Sequence, residues 1–244
     1  MVRDLDAVGG GKGRAIGRRD LLHVLPSSRW AFAFDERIIK ARTGTIQEQN
    51  AIGLAWFRNL RYRGRMLSVF IDCGPDDQKL ASTLASLVPG AVEGLVREVV
   101  LVDRQMGSDA RKVADHAGCR VIAAEDLREA IRTAKGEWLL LVEPGARLVP
   151  GWIGAVVEHV ETVQAGRSVP PCARFRRAAI DRPRFLQRLR QIRMALAEGF
   201  LVRRSQAVGL AGQAGAAPTL ERLAKGVAVT RLDAEIRPAQ GTRG

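Results

Sequence analysis

Between residues 66 and 143, short apolar stretches alternate with longer stretches that carry apolar residues at helical spacing. The apolar stretches predict four strands: MLSVFID (66–72), VREVVLVD (96–103), CRVIAA (119–124) and EWLLLVE (137–143). The stretches between them predict three helices: DQKLASTLASLV (77–88), SDARKVADHAG (108–118) and EDLREAIRTAKG (125–136), the last two ending on glycine. Strands that are apolar on both faces and alternate with helices are typical of an α/β fold with a mostly parallel sheet flanked by helices.

Three of the predicted strands end on acids, which are Asp72, Asp103 and Glu143. The carboxyl ends of parallel strands lie at one edge of a sheet, where α/β proteins bind their ligands. These acids therefore predict a binding site at that edge. The alternative is that each acid ends its strand and caps the helix that follows.

The segment before the first strand has a different pattern. Residues 1–65 contain short apolar pieces without sustained periodicity, and we expect an irregular or disordered basic extension there. Its GGGKG stretch (9–13) lacks the Ser or Thr that a P-loop needs after the lysine, and no strand precedes it. Because Met66 stands directly before the first strand, we hypothesise that translation starts there.

A basic amphipathic helix is predicted over residues 181–200. Its apolar stripe consists of Phe185, Leu189, Ile192 and Leu196, and arginines occupy the remaining faces. The stripe can pack against the sheet while the arginines stay in solvent. Alternatively, residues 184–198 can lie on an anionic membrane surface.

The net charge of +13 is unevenly distributed along the chain. Residues 66–166 carry 10 basic and 15 acidic side chains, whereas residues 1–65 carry 13 and 6, and residues 167–204 carry 11 and 2. Basic segments of this kind favour anionic partners such as phosphate groups, lipid headgroups or nucleic acid. An arginine-rich solvated surface is the other interpretation.

Cysteine usage and hydropathy indicate the compartment. The three cysteines form no CxxC pair, which argues against a zinc site or a disulfide framework and favours a reducing environment. The sequence contains no apolar run of about 18 residues, so no membrane span is predicted. We expect a cytoplasmic protein, either in solution or peripheral on the inner face of the membrane.

Three segments resemble the family 2 glycosyltransferases, which have the GT-A fold, a Rossmann-type mostly parallel sheet. EVVLVDRQMGSD (98–109) resembles the family's nucleoside-binding strand, and AKGEWLLLVEPGARLVPGW (134–152) resembles the segment that carries its metal-binding DxD motif. GFLVRRSQAVGLAG (199–212) resembles the acceptor-side segment. The resemblance implies a nucleotide-sugar-binding half over 66–166 and an acceptor-side half with a basic tail over 167–244.

The resemblance also implies roles for particular residues. It implies that the nucleotide sugar is bound by Asp72, Asp103, Ser108 and Glu143. It also implies that Glu143 binds a divalent cation, Mg²⁺ or Mn²⁺. Ser108 stands where the family has a second nucleotide-site Asp, with Asp109 one position late. An anionic or lipid-linked acceptor would suit the basic segment.

The chain departs from the family at the acids that carry the chemistry. The DxD motif is replaced by Glu143-Pro144-Gly145, which removes one anionic ligand for a cation that would offset the charge of the departing phosphate. The family's later Glu-Asp pair, which carries the catalytic base, is absent from its expected place near residues 216–222, where Glu221 is the only acid. Asp76 and Glu221 are the acids nearest to positions that matter in the family.

Three functions follow from this pattern. The first is a family 2-like glycosyltransferase with a degenerate DxD. The second is a non-catalytic nucleotide-sugar-binding or scaffold protein on the same fold, which the missing acids favour. The third is a basic nucleic-acid-binding protein, which has the charge but lacks a recognisable module or interleaved aromatic residues.

Overall fold

The computed structural model describes residues 66–179, 195–215 and 218–239. Its strands are β1 (Leu67–Cys73), β2 (Val96–Asp103), β3 (Arg120–Ile122), β4 (Trp138–Val142), β5 (Arg147–Leu148), β6 (Ala173–Arg177), β7 (Phe200–Arg203) and β8 (Thr230–Arg237). Its α-helices are α1 (Asp77–Val92), α2 (Ser108–His116), α3 (Leu127–Arg132), α4 (Trp152–Gln164), α5 (Arg204–Gln213) and α6 (Leu220–Ala224).

The strands form one sheet in the order β3-β2-β1-β4-β7-β6-β8-β5. β3, β2, β1 and β4 are parallel to one another. β7 runs antiparallel to both β4 and β6. β8 is parallel to β6 and antiparallel to β5. The predicted α/β fold is confirmed, and its parallel part lies where strands and helices alternate in the sequence.

Two apolar cores cover the two faces of the sheet. Successive side chains of a strand point to opposite faces, so Val69 and Ile71 lie in one core and Phe70 lies in the other. α1, α2 and α4 pack on the first face, and α3, α5 and α6 pack on the second. Burial on both faces explains why β1, β4 and most of β2 carry apolar residues.

Two predicted helices differ from the structure at their ends. α1 extends to Val92 and includes Pro89, four residues beyond the predicted end, because its apolar stripe continues to the buried Ala91. The helix predicted over 125–136 begins as a 3-10 turn and its α-helical part ends at Arg132, before Gly136. Gly136 is needed for close approach instead, since a Cβ there would lie 2.4 Å from the backbone nitrogen of Ser68.

Several predictions fall partly or wholly outside the described residues. These are the basic extension over 1–65 and most of the helix over 181–200, including its proposed membrane contact. Residues 195–198 are described and form turns rather than helix, which corrects the end of that prediction. Leu196 of the predicted stripe is only 4% exposed and packs in the second core.

Strands from both predicted halves, 66–166 and 167–244, belong to the one sheet. The division into a nucleotide-sugar-binding half and an acceptor-side half remains a prediction. Within the described part of the chain, no helix is long and apolar enough to cross a membrane.

A buried carboxylate joins the start of the parallel strands. Glu98 on β2 is 5% exposed, and its Oε1 accepts hydrogen bonds from the Ser68 hydroxyl and the Lys135 backbone N–H, both at 2.6 Å. Its Oε2 lies 3.6 Å from Nε of Arg120. The Ser68 hydroxyl also accepts from the backbone N–H of Gly136 at 2.8 Å. Glu98 therefore fixes the loop that leads into β4 against β1.

We expect the Glu98→Ala substitution to lower the free energy of unfolding by about 2–4 kcal/mol, because it leaves the buried Ser68 hydroxyl and the part-buried Lys135 N–H without an acceptor. Urea denaturation at neutral pH measures this difference. The control is Glu129→Ala, which removes an exposed carboxylate paired with Arg132 and should leave stability nearly unchanged. Equal effects of the two substitutions would contradict a structural role for Glu98.

Candidate functional site

The strand register brings the three strand-end acids to one edge of the sheet. Cys73 of β1 pairs with Asp103 of β2. On the other side of β1, Ile71 pairs with Val142, so the next residues, Asp72 and Glu143, lie at the same level on neighbouring strands. The predicted convergence of these acids therefore follows from the register.

Asp72 is held by an arginine from the neighbouring strand end. Its Oδ1 accepts a hydrogen bond from Nε of Arg104 at 3.1 Å, and the side chains are 24% and 34% exposed. Burial raises the pKa of Asp72, while the charge of Arg104 and a hydrogen bond from the Leu220 backbone N–H lower it. Nη2 of Arg104 is buried and has no hydrogen-bond partner among the described residues.

Asp103 organises the turn that follows β2. Its Oδ1 accepts a hydrogen bond from the Met106 backbone N–H at 2.8 Å, and its other oxygen is bound by Arg111. The Met106 N–H is the main cause that lowers the pKa of Asp103, with the charge of Arg111 also contributing. Gln105 has a φ of +65°, a conformation that glycine adopts more readily. Asp103 is thus a fixed, ionised carboxylate at the strand end.

Glu143 lies at the end of β4 and is contacted by the end of the described chain. Its Oε1 accepts a hydrogen bond from the Ala239 backbone N–H at 3.1 Å. Burial raises the pKa of Glu143, and this effect is opposed by the Ala239 N–H and by the charge of Arg177. Glu143 is therefore the strand-end acid that lies next to the C-terminal segment.

Glu221 is a fourth acid at this edge. Burial is the main cause that raises the pKa of Asp72 and of Glu143, and the negative charge of Glu221 adds to it in both cases. Glu221 therefore lies close to them. The carboxylate is half-buried and accepts hydrogen bonds from the backbone N–H groups of Ala195 and Leu196, the latter at 3.1 Å. Glu221 is thus an oriented part of the site, whereas its sequence fitted a solvent-facing helix residue equally well.

The remaining candidates lie at helix starts. Ser108 is exposed as the first residue of α2, and the neighbouring Asp109 is exposed and pairs with Lys112 at 2.9 Å. Asp76 is the N-cap of α1, where its Oδ1 accepts from the Lys79 backbone N–H at 2.9 Å. This hydrogen bond is the main cause that lowers the pKa of Asp76. Asp76 therefore acts as a helix cap, which was the alternative role for acids after strands.

Two residues after Glu143, where the family resemblance would place a second acid, the structure leaves no room for a side chain. Gly145 occupies this position with a φ of +94°, where a side chain would be strained. A Cβ at Gly145 would lie 3.0 Å from Cβ of Ala239 and 3.2 Å from Cγ of Lys79. The Gly145 backbone N–H donates to the Thr83 hydroxyl at 2.8 Å. This stretch could not carry a second carboxylate without rearrangement.

The acids present do not fit a divalent cation held by the protein. Mg²⁺ and Mn²⁺ need several oxygen ligands that are free to coordinate. Here Asp72 binds an arginine, one oxygen of Glu143 accepts a backbone N–H, and Glu221 accepts two. Among the described residues, no group of three or more His, Cys, Asp or Glu side chains has the geometry of a metal site.

Arg104 and Arg177 were not anticipated as site residues. Arg104 directly follows Asp103, where the resembling motif has a second Asp, and that exchange was a usable signal. Arg177 ends β6, in a segment whose many arginines look alike in sequence. The contact of Ala239 with Glu143 spans 96 residues and had no local signal.

Comparison with solved structures finds similar folds. TarS 1–349 of S. aureus superposes with a TM-score of 0.52 at 12% identity, over 71% of this chain and 60% of that one. The fold is therefore of the GT-A type. Glucosyl-3-phosphoglycerate synthase of M. tuberculosis gives a TM-score of 0.48 at 15% identity, over 78% of this chain and 77% of that one. The same synthase with Mn²⁺, UDP and phosphoglyceric acid gives 0.42 at 17%, over 63% and 61%.

This chain thus spans less than two thirds of the TarS fragment. No protein-family model matches the chain, and no curated protein matches it. The likeness establishes the fold, and the resemblance to GT-A glycosyltransferases is confirmed at that level.

Gly145→Ala should lower the free energy of unfolding by about 1–3 kcal/mol, because the added Cβ meets Ala239 in a left-handed conformation. The matched control is Gly154→Ala in α4, where a Cβ would meet nothing within 4 Å. That substitution should leave stability unchanged or raise it by up to about 1 kcal/mol. Denaturant titration of both variants checks the pair, and a neutral Gly145→Ala would show that the position is open.

Glu143→Gln should raise stability at neutral pH. The folded-state pKa of Glu143 is raised, so the ionised form that predominates at neutral pH is disfavoured by folding. This gain should shrink as the pH falls toward and below the ordinary value of 4.5, where the glutamate becomes protonated in both states. Melting temperatures from pH 4 to 8 measure it.

The control for that series is Glu129→Gln, because Arg132 lowers the pKa of Glu129 and gives the opposite sign. Its small effect should be a loss of stability at neutral pH. A Glu143→Gln variant that is less stable than the parent at neutral pH would contradict the half-buried, unfavourably ionised carboxylate described above.

Proposed function

We propose that this protein is a family 2-like glycosyltransferase that transfers a sugar from a nucleotide-diphosphate donor to an acceptor hydroxyl. The observation that carries the proposal is the meeting of Asp72, Asp103 and Glu143 at the carboxyl edge of a GT-A-type sheet, with Glu221 beside them. Ligands of open α/β sheets bind at this edge.

Each acid has a role in the proposal. Asp103 contacts the nucleoside, because it is fixed by Met106 and Arg111 and still has lone pairs to accept a donor from a base or ribose. Asp72 and Glu143 lie nearer the diphosphate and sugar. The part of Ser108 in nucleotide binding stays a prediction from the family pattern. No divalent cation is assigned to this site, because its carboxylates do not provide enough free oxygen ligands.

Glu221 is proposed as the general base. In the transfer, the bond between the sugar C1 and the diphosphate oxygen breaks, a bond from C1 to the acceptor oxygen forms, and the acceptor proton moves to a carboxylate. The N–H groups of Ala195 and Leu196 orient the carboxylate of Glu221, and orientation is the first requirement for a base.

The acceptor is proposed to be anionic. The segment 167–204 carries 11 basic and 2 acidic residues. Within its described part, the side chain of Arg176 at the end of β6 is 51% exposed while paired with Asp233. A lipid-linked acceptor, and membrane contact through residues 184–198, are further proposals that concern mostly residues outside the described part.

A non-catalytic nucleotide-sugar-binding protein is the second candidate. It is favoured by the same contacts that orient Glu221, because backbone N–H groups already occupy both oxygens of that carboxylate. The two candidates differ in turnover. Release of UDP or GDP from nucleotide sugars by slow transfer to water, lost in Glu221→Gln, would identify the enzyme, whereas tight binding without release would identify the binding protein.

Asp103→Asn should weaken the binding of UDP or GDP by about tenfold, because the substitution removes the charge of an acceptor that the nucleoside uses. Asparagine keeps the oxygen that accepts from Met106, so the turn is retained. Isothermal titration calorimetry measures the affinity. The matched control is Asp115→Asn, an exposed acid near the other end of α2, which should not change it.

Nucleotide affinity that is equal in Asp103→Asn and Asp115→Asn would contradict the proposed nucleoside contact. Failure of the parent protein to bind UDP, GDP or their sugars would contradict the donor site as a whole. Salt-sensitive binding of nucleic acid in that case would favour the nucleic-acid-binding alternative.

A further inference from the structure

The strand-end site lacks the second acid that a cation would need, and arginines lie near the acids that are present. Gly145 closes the position of the second acid through its φ of +94° and its contact with Ala239. The backbone N–H of Ala239 occupies one oxygen of the remaining acid, Glu143. These two contacts come from one C-terminal segment, so the change is built into the fold at this edge.

Arg104 stands among the strand-end acids. Its Nε donates to Asp72 at 3.1 Å, which leaves the rest of the guanidinium group directed away from that bond. Nη2 is buried and finds no hydrogen-bond partner among the described residues. A buried guanidinium N–H without an acceptor is unfavourable, and a phosphate oxygen is an acceptor that it binds strongly.

Arg177 supplies a second positive charge at the same edge. Its side chain is 20% exposed, and its Nε lies 3.4 Å from Glu198. Burial raises the pKa of Glu143, and the charge of Arg177 lowers it, after the larger effect of the Ala239 N–H. The acid at the end of β4 therefore lies in the field of an arginine.

The charge balance of the site changes accordingly. Two carboxylates that face a diphosphate repel it unless an ion lies between them. Here Asp72 is paired with Arg104, and Glu143 lies in the field of Arg177, so the repulsion that these two acids exert on a diphosphate is reduced. Arginines beside the acids reduce the need for an intervening ion, and the site also lacks the carboxylate ligands that such an ion would use.

We propose that nucleoside diphosphates bind at this edge without a divalent cation, and that the guanidinium group of Arg104 provides the positive charge in its place. The inference rests on the proposed donor site and specifies how that site binds its ligand. Arg177 adds to the field, and the planar, permanently charged guanidinium group of Arg104 makes the direct contact.

Calorimetric titration of the full chain with UDP and with GDP, once in EDTA and once in excess Mn²⁺, tests the proposal. We expect affinities that agree within about twofold between the two conditions. In EDTA, Arg104→Gln should weaken binding by about tenfold or more, and Arg104→Lys should be intermediate, because lysine keeps the charge but loses the planar fork. Arg132→Gln, an exposed arginine of α3, is the control and should bind as the parent does.

Manganese alone provides a second measurement that does not depend on any substitution. The electron paramagnetic resonance signal of free Mn²⁺ should keep its full amplitude when the protein is added, because no protein site removes the ion from solution. Circular dichroism checks that each arginine variant is folded. If Arg104→Gln does not fold, the comparison of EDTA with Mn²⁺ on the parent and the Arg104→Lys variant still decides the matter.

Binding that appears only with Mn²⁺ and is reversed by EDTA would overturn this inference and leave the proposed donor site intact. Unchanged affinity of Arg104→Gln in EDTA would overturn the role of Arg104. Absence of binding in both conditions would overturn the donor site, and the inference with it.

Discussion

The parallel register of β1 with β2 and β4 is the constraint on which the site depends. Burial on both faces favours apolar side chains along the middle of these strands, so their charged groups lie near the two ends. The register then sets those ends side by side, with Asp72 level with Glu143 and one residue before the level of Asp103. Carboxylates that are far apart in sequence become neighbours because the backbone hydrogen bonds leave them no other place.

The starting end of the same strands is fixed by a different carboxylate. Glu98 receives the Ser68 hydroxyl and the Lys135 N–H, and Gly136 lets that loop approach β1 at backbone distance. Glu98 and Gly136 lie in the segments that resemble the family, and both have a structural role at the start of the parallel strands. The acids at the opposite edge of the sheet are the ones that can contact a ligand. A resemblance in the first set supports the fold and carries no information on catalysis.

The parallel half of the fold could be predicted because each strand and helix there is encoded by its own local pattern. The strands at 66–72, 96–103 and 137–143 agree with the structure within about one residue. The site could be predicted only as far as it follows from strand ends, which gave Asp72, Asp103 and Glu143. Contacts made by Arg104, Glu221 and Ala239 depend on the tertiary arrangement, since each partner lies on a different element and hydrophobic periodicity does not report on charged side chains at a sheet edge. The helix predicted at 195–198 was wrong because apolar spacing describes a buried turn as well as a helix.

The contacts at the end of β4 also set an order of events during folding. Glu143 and the residue that binds it, Ala239, are separated by 96 positions, and β8 must join the sheet before they meet. On a ribosome, the parallel strands emerge long before Ala239 does, so a nascent chain has its sheet edge formed but still open. The site therefore takes its final form only after residue 239 has been added, and a chain that stops before Ala239 would leave Glu143 without that hydrogen bond.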